Sequence, residues 1–290
     1  MQKKGRSAFI VSFLAPAVLL YVVFVIYPLI QAFGFSTYRW RGLSSKRTFV
    51  GSENFVKLIH DDVFLRAVRN NLTVLVLGGF AIVAISIGIA HALQSDRPSM
   101  KFLRGLILFP QMVSLVAVAI LWQFLYNPQF GIFLALKRAL HLDSFLGDPH
   151  AALPSVGITF VWSSLGFTIM LFSAGLRALP AEVVEACALD GATGMTRFWR
   201  VTWPMLWSVK RVAIVNITIT VMNIFALIYL MTQGGPDRAT EVMLTYLYQT
   251  AFVNSQFGYA TAIAVANFVI IMILSVAILF FTRRNPEVSR

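Results

Sequence analysis

The chain is poor in side chains that make or break covalent bonds. Its histidines, His60, His91, His141 and His150, never fall into the HExxH spacing that puts two imidazoles on one helical face for zinc. The lone cysteine, Cys187, has no partner for a disulfide or a CxxC pair. No GxSxG nucleophile elbow and no GxxxxGK loop followed by Ser or Thr occurs. The adjacent Asp61 and Asp62 read as a solvated loop face. No catalytic, cofactor-binding or metal-ligating residue is therefore assigned. What remains is neutral hydrogen-bonding chemistry inside apolar stretches. Asn216, Thr220 and Asn223 share one helical face at i, i+4 and i+7, and Asn267 stands alone. Amides and hydroxyls donate and accept without burying a charge, which suits a hydroxyl-rich solute. The same groups also serve as glue between helices, and both readings stay open.

These residues lie in a chain built for lipid. Only 12% of the 290 residues are charged, about half the usual ~25%, while 58% are apolar and the mean hydropathy is +0.76. Charge-free runs cover 8–35, 70–95, 105–136, 151–176, 212–236 and 242–282. Each exceeds the ~20 residues that cross a bilayer as a helix. The last run has a polar middle, so its span is placed at 260–281. The expected spans are 8–35, 70–94, 105–126, 153–176, 212–232 and 260–281, forming one membrane domain over 1–290. Residues 241–252 carry Leu244, Leu247, Tyr248 and Phe252 at helical spacing and read as an amphipathic helix on the membrane surface. The first run is too long for a cleaved signal core and is retained as a span.

The net charge of +12 forms no continuous basic face, so nucleic acid is not an expected partner. The basic residues cluster at span ends instead. With both termini inside, the inner segments hold fourteen Lys and Arg against five Asp and Glu, and the outer segments ten against seven. The first outer loop alone carries seven of those ten, yet the balance favours this orientation. The spans lack the ionisable relays of an ion-coupled carrier: among Asp, Glu, Lys, Arg and His they hold only His91, near the inner end of the second, and it reads as interfacial. With no phosphate loop either, energy must come from another subunit.

The long inner loop, 177–211, carries the specific pattern. Pro180 suits the first turn of a helix and Glu182 its positive end. That helix is expected to reach about Leu189. Gly191 can then reverse the chain into a second short helix, 192–200, before Pro204 breaks the path into the fifth span. Small residues at Ala186, Cys187 and Ala188 would let another surface approach the backbone, with Phe198 and Trp199 as an apolar anchor.

Glu185, Ala186 and Cys187, followed by Asp190, Gly191 and the Trp203-Pro204 pair, resemble the EAA motif of the permease subunits of binding-protein-dependent ABC importers. Cys187 stands where a second Ala is usual, and Trp203 is a further departure. The likeness runs along most of the chain. Leu14-Ala-Pro16, Tyr27-Pro28, the segment from Val50 to Leu72 and Gly234-Gly235-Pro236 are similar to the carbohydrate-type permeases, and the last element to the first of their two unlike permeases. The resemblance implies an all-α, six-helix type I importer permease fold with a cytoplasmic coupling helix. It assigns ATPase coupling to Glu182, Glu185, Ala186, Cys187, Asp190 and Gly191, and leaves solute contact to Asn216, Thr220, Asn223 and Asn267. The implied partners are a second, non-identical six-helix permease, two ATPase subunits that use ATP and Mg²⁺, an extracytoplasmic solute-binding protein and membrane lipid. The implied location is a bacterial or archaeal cytoplasmic membrane, and the implied cargo a sugar, oligosaccharide or sugar derivative. Two rivals are a secondary carrier or channel acting without an ATPase, and a membrane assembly protein that moves no solute.

Overall fold

A computed structural model describes residues 2–42, 46–94, 98–192 and 194–283. Arg97, Arg284 and Arg290, and the side chains of Lys3, Lys4, Arg6, Lys101 and Ala188, lie outside what is described. Four long apolar helices, Phe9–Phe35, Asp62–Ala92, Ala152–Arg177 and Phe257–Phe281, are each long enough to cross a membrane. Two further spans are bent pairs: Phe102–Met112 with Leu115–Leu125 at 101°, and Gly194–Met205 with Trp207–Met222 at 70°. Counted this way the spans number six. Only one short strand pair occurs among the described residues.

The boundaries differ from the charge-free runs for identifiable reasons. The second span starts at Asp62 rather than Asn70, because 62–69 is a charged but amphipathic turn of the same helix. The fifth span stops at Met222, and a separate short helix, Ala226–Met231, follows. Pro204 does not break the chain. It sits in the first turn of Trp203–Met205, directly after the wide five-residue turn Phe198–Thr202, and the bend falls at Leu206 instead. The stretch read as a surface helix is helical over Met243–Tyr248 and continues as a wide turn over Gln249–Val253, with Met243 and Thr245 buried within the protein.

Contacts divide the chain into two compact units, Met1–Asp61 with Leu247–Phe268, and Asp62–Tyr246 with Val269–Arg290. In the first, the opening span has no buried residue in its apolar window. It leads into β1 (Tyr38–Arg39) and β2 (Thr48–Phe49), an antiparallel pair in which Tyr38 faces Phe49. The buried Asn54 amide donates to the carbonyls of Ser36 (2.7 Å) and Tyr38 (3.1 Å), tying the short helix Glu53–Ile59 to this hairpin. Gly258 lies against it, its N–H donating to Trp40 O at 3.1 Å, and a methyl group there would fall 1.9 Å from Tyr38 O. Gly258→Ala is therefore expected to cost about 2–3 kcal/mol through overpacking, read as a lower melting temperature and faster proteolysis of 38–59.

In the second unit the core lies where the second, third, fourth and fifth spans meet, around Ile82, Val118, Phe160 and Val221. Neighbouring asparagines clip its loops. Asn71 donates to Val221 O (3.0 Å) and accepts from Met243 N–H (3.0 Å), while Asn70 donates to Ala239 O and Glu241 O. Buried away from water, these bonds cannot be exchanged for solvent and hold the loop over the helix ends.

Glu241, 1% exposed, is the buried acid of this loop. Thr245 Oγ1 lies 2.5 Å from Glu241 Oε1 and 2.9 Å from Val242 O, but a hydroxyl has one hydrogen. That hydrogen is shared between these two acceptors, while the Thr245 oxygen accepts from Val242 N–H at 3.0 Å. Burial raises the Glu241 pKa above its usual value, outweighing the Thr245 bond and the nearby Arg238, which lower it. A raised acid contributes stability that is complete below the ordinary carboxylate range and is lost as pH climbs through the raised value. Glu241→Gln should abolish that loss: in detergent melts the variant matches wild type near pH 4 and melts a few degrees higher near pH 8.

Candidate functional site

Two sites in the second unit deserve description, a cavity among the spans and the elbow at their end. The cavity, about 630 Å³, is lined by the third, fourth and fifth spans. That size is ordinary for a small-molecule site. The break of the third span and the gap between the fifth span and the short helix Ala226–Met231 both open onto it. Pro110, Gln111 and Val113 come from the first break, where Ser114 turns extended (ψ 136°), and Asn223, Ile224 and Phe225 from the second. Irregular backbone at membrane depth is tolerated where it lines a cavity, and discontinuous spans commonly build solute sites.

Seven uncharged hydrogen-bonding side chains line the cavity: Gln111, Ser163, Ser164, Thr168, Asn216, Thr220 and Asn223. No ionisable side chain lines it among the described residues. Ser163 Oγ donates to Phe160 O (2.9 Å) and Thr220 Oγ1 to Asn216 O (2.9 Å), so each hydrogen is spent on its own helix and the oxygen lone pairs are left to accept. Asn223 Nδ2 donates to Ile219 O at 2.8 Å, which leaves its second N–H and its carbonyl oxygen. Phe160, Phe167 and Phe225 add apolar faces. Gly166 keeps the third span close, since a methyl there would meet Gln111 Cβ at 2.8 Å.

Asn216, Thr220 and Asn223 thus share the cavity wall, although Asn223 stands just past the helix end rather than on its face. Asn267 is not among the lining residues; it is 5% exposed, and its Oδ1 has no partner among the described residues. Sequence reasoning missed Gln111, Ser163, Ser164 and Thr168. The Ser164 and Thr168 spacing of i, i+4 beside Gly166 is the signal that could have found two of them.

The elbow begins where the fourth span ends at Arg177. Its first helix is Ala181–Leu189, with Glu182 in the first turn. Asp190 N–H donates to Ala186 O and Ala192 N–H to Cys187 O, and Gly191 takes φ +70° between them. This left-handed closure satisfies the last carbonyls of the helix and turns the chain toward Gly194–Met205. Glu182, Glu185, Ala186, Asp190 and Gly191 are exposed, and Leu189 is 90% exposed at the tip. Cys187 departs from expectation: it is 8% exposed and faces inward, so it is not part of the presented surface. Phe198 packs against the rings of His91, Trp199 and Trp203, fixing the elbow to the end of the second span.

At the bend, Lys210 Nζ donates to Trp203 O (2.7 Å) and lies over the rings of Trp203 and Trp207. The carbonyl is thereby satisfied by a side chain, and the angle is held by a cation between two indoles. Trp207 Nε1 donates to Thr282 O at 2.9 Å, tying the same region to the end of the last span. No three His, Cys, Asp or Glu side chains converge on a metal-sized position among the described residues.

The sequence profile of the family described as "Binding-protein-dependent transport system inner membrane component" matches residues 82–285. The chain is 34% identical to the probable ABC transporter permease protein YurN of Bacillus subtilis over 281 residues, 95% of this chain and 96% of that one. It is 31% identical to the diacetylchitobiose uptake system permease protein NgcF of Streptomyces coelicolor, covering 96% and 83%. Among solved structures, a chain of a bacterial ABC transporter for import of the acidic polysaccharide alginate superposes with a TM-score of 0.81 over 98% of both chains, at 21% identity. At that identity the superposition speaks for the fold, a six-helix importer permease. With a profile match across more than half its length and relatives above 30% identity along almost all of it, this chain belongs to the inner-membrane permease component of binding-protein-dependent ABC transport systems.

Proposed function

We propose that this permease forms half of the translocation path of an ATP-driven importer of a sugar, oligosaccharide or sugar derivative. The observation that carries the reading is the cavity of about 630 Å³ at two span breaks, lined by neutral amides and hydroxyls with phenylalanine faces between them. Such a lining meets hydroxyl groups with matched donors and acceptors, and its lack of fixed charge favours a neutral solute. The diacetylchitobiose relative supports the same class. Asn216, Thr220 and Asn223 contact solute in this reading, while Asn267, away from the cavity wall, serves packing.

A second, non-identical six-helix permease completes the path. An extracytoplasmic binding protein delivers the solute, and two ATPase subunits bind ATP with Mg²⁺. Those subunits receive the elbow through Glu182, Glu185, Ala186, Asp190 and Gly191, with Leu189 as its apolar tip. Nucleotide then shifts the access of the cavity only in so far as it binds one arrangement of the helices more tightly than the other. Both termini lie on the cytoplasmic side of a bacterial or archaeal cytoplasmic membrane, in keeping with the excess of basic residues there. The test is uptake of labelled neutral oligosaccharides by liposomes holding the four-subunit complex and its binding protein. Uptake strictly dependent on ATP is expected. Uptake by this chain without ATPase subunits would instead establish a secondary carrier or channel.

A further inference from the structure

A smaller hollow on the elbow side, about 280 Å³, is shaped unlike the transport cavity. Arg104, Ser173 and Arg177 form one end, and Leu108, Ile169 and Met170 form the other. The polar end stands where the spans end. Arg177 is the last residue of Ala152–Arg177, and Met170 lies seven residues back along that helix, about 10 Å toward the membrane centre. That spacing matches the step from headgroup to acyl chain across a membrane interface.

The Arg104 guanidinium is held in place. Its Nε and Nη2 both donate to Leu93 O, the carbonyl at the end of the second span, so its plane is set before anything binds. Arg177 is exposed, and Met170 is 55% exposed on the wall below it. Two guanidinium groups and a hydroxyl line the hollow together with an open apolar wall. Guanidinium groups bind phosphate oxygens in paired hydrogen bonds, and basic hollows between spans accept anionic lipid headgroups.

We propose that this hollow binds a phospholipid with an anionic headgroup from the leaflet on the elbow side. The phosphate lies between Arg104 and Arg177, with the Ser173 hydroxyl donating to it, and an acyl chain runs along Leu108 and Met170. The elbow departs from Arg177 itself, so the lipid fixes the base of the coupling loop. A free phosphate shares the headgroup chemistry but gains nothing from the apolar wall, which is why the lipid is favoured.

The experiment uses the assembled complex in mild detergent, equilibrated with mixed micelles of phosphatidylglycerol and phosphatidylcholine, with retained lipid counted by intact-complex mass spectrometry. Arg177→Gln removes charge at one end, Met170→Trp fills the other, and Arg200→Gln is a charge-matched control outside the hollow. Both residues altered in the hollow are exposed, so the assembled mass itself reports intact folding. Retained phosphatidylglycerol should fall about fivefold in each of the first two and stay unchanged in the third. Inorganic phosphate alone should show no comparable binding. Undiminished retention in Arg177→Gln and Met170→Trp, an equal fall in Arg200→Gln, or phosphate binding as tight as the lipid's would each overturn the proposal.

Discussion

Gly191→Asp should reduce ATP-driven uptake to background while the protein still inserts, folds and accumulates. Gly191 holds φ +70°, and a side chain built there would meet nothing within 4 Å in this chain. Aspartate is among the residues that tolerate this conformation, so the fold loses only about 1 kcal/mol. The cost falls on whatever covers the elbow. A new carboxylate beside Asp190 must be desolvated against a surface that fits a bare backbone, and an unpaired buried charge costs about 3–5 kcal/mol. Hundredfold or greater weakening of ATPase docking follows. Co-purification of the ATPase subunits and ATP-driven uptake are the measurements, with the detergent melting temperature as the folding control. Wild-type uptake by this variant would remove the elbow from the coupling mechanism.

Substituting the cavity's amides should separate solute contact from helix packing. Asn216 and Gln111 are exposed to the cavity, and neither makes a side-chain hydrogen bond among the described residues. Asn216→Leu should therefore leave the melting temperature almost untouched. Its loss to transport is one hydrogen bond to solute, about 0.5–1.5 kcal/mol, or up to about tenfold in apparent affinity. Combined with Gln111→Leu the loss approaches a hundredfold, provided the two contacts are independent. The binding protein's own affinity stays fixed, so solute titrations of uptake and of ATPase stimulation read the permease alone. If these amides are glue between helices, the reverse pattern appears: a lower melting temperature with near-normal uptake.

The spans were legible because the bilayer imposes length and forbids charge, and both can be read directly from residues 70–95 or 151–176. Their breaks were not. At Ser114 and at Asn223–Phe225 the chain stays apolar or neutral, since these turns line a cavity and carry no loop composition. The elbow's turn was legible through Gly191, where the left-handed backbone conformation favours glycine. The inward facing of Cys187 was not, because which side of a nine-residue helix is covered depends on its tertiary seat. Pro204 misled for a physical reason: the wide turn before it already lacks the hydrogen bond that proline would break. The cavity was half visible, through the fifth span alone. Gln111 could not be joined to it until the 101° bend brought the third span's broken end to Gly166.

The helix Trp207–Met222 has a mechanical meaning. Its sixteen residues make a rod about 24 Å long. One end is welded at 70° to the elbow by the Lys210, Trp203 and Trp207 clamp, and the other ends at Asn223 in the cavity wall. A joint clamped at 70° behaves as a crank. If the elbow couples to an ATPase as proposed, sideways force on it would be delivered as torque along the rod, and the amides at its far end would swing through an arc instead of sliding. Loosening the clamp would leave grip and cargo site both intact but out of gear, giving an ATPase that idles.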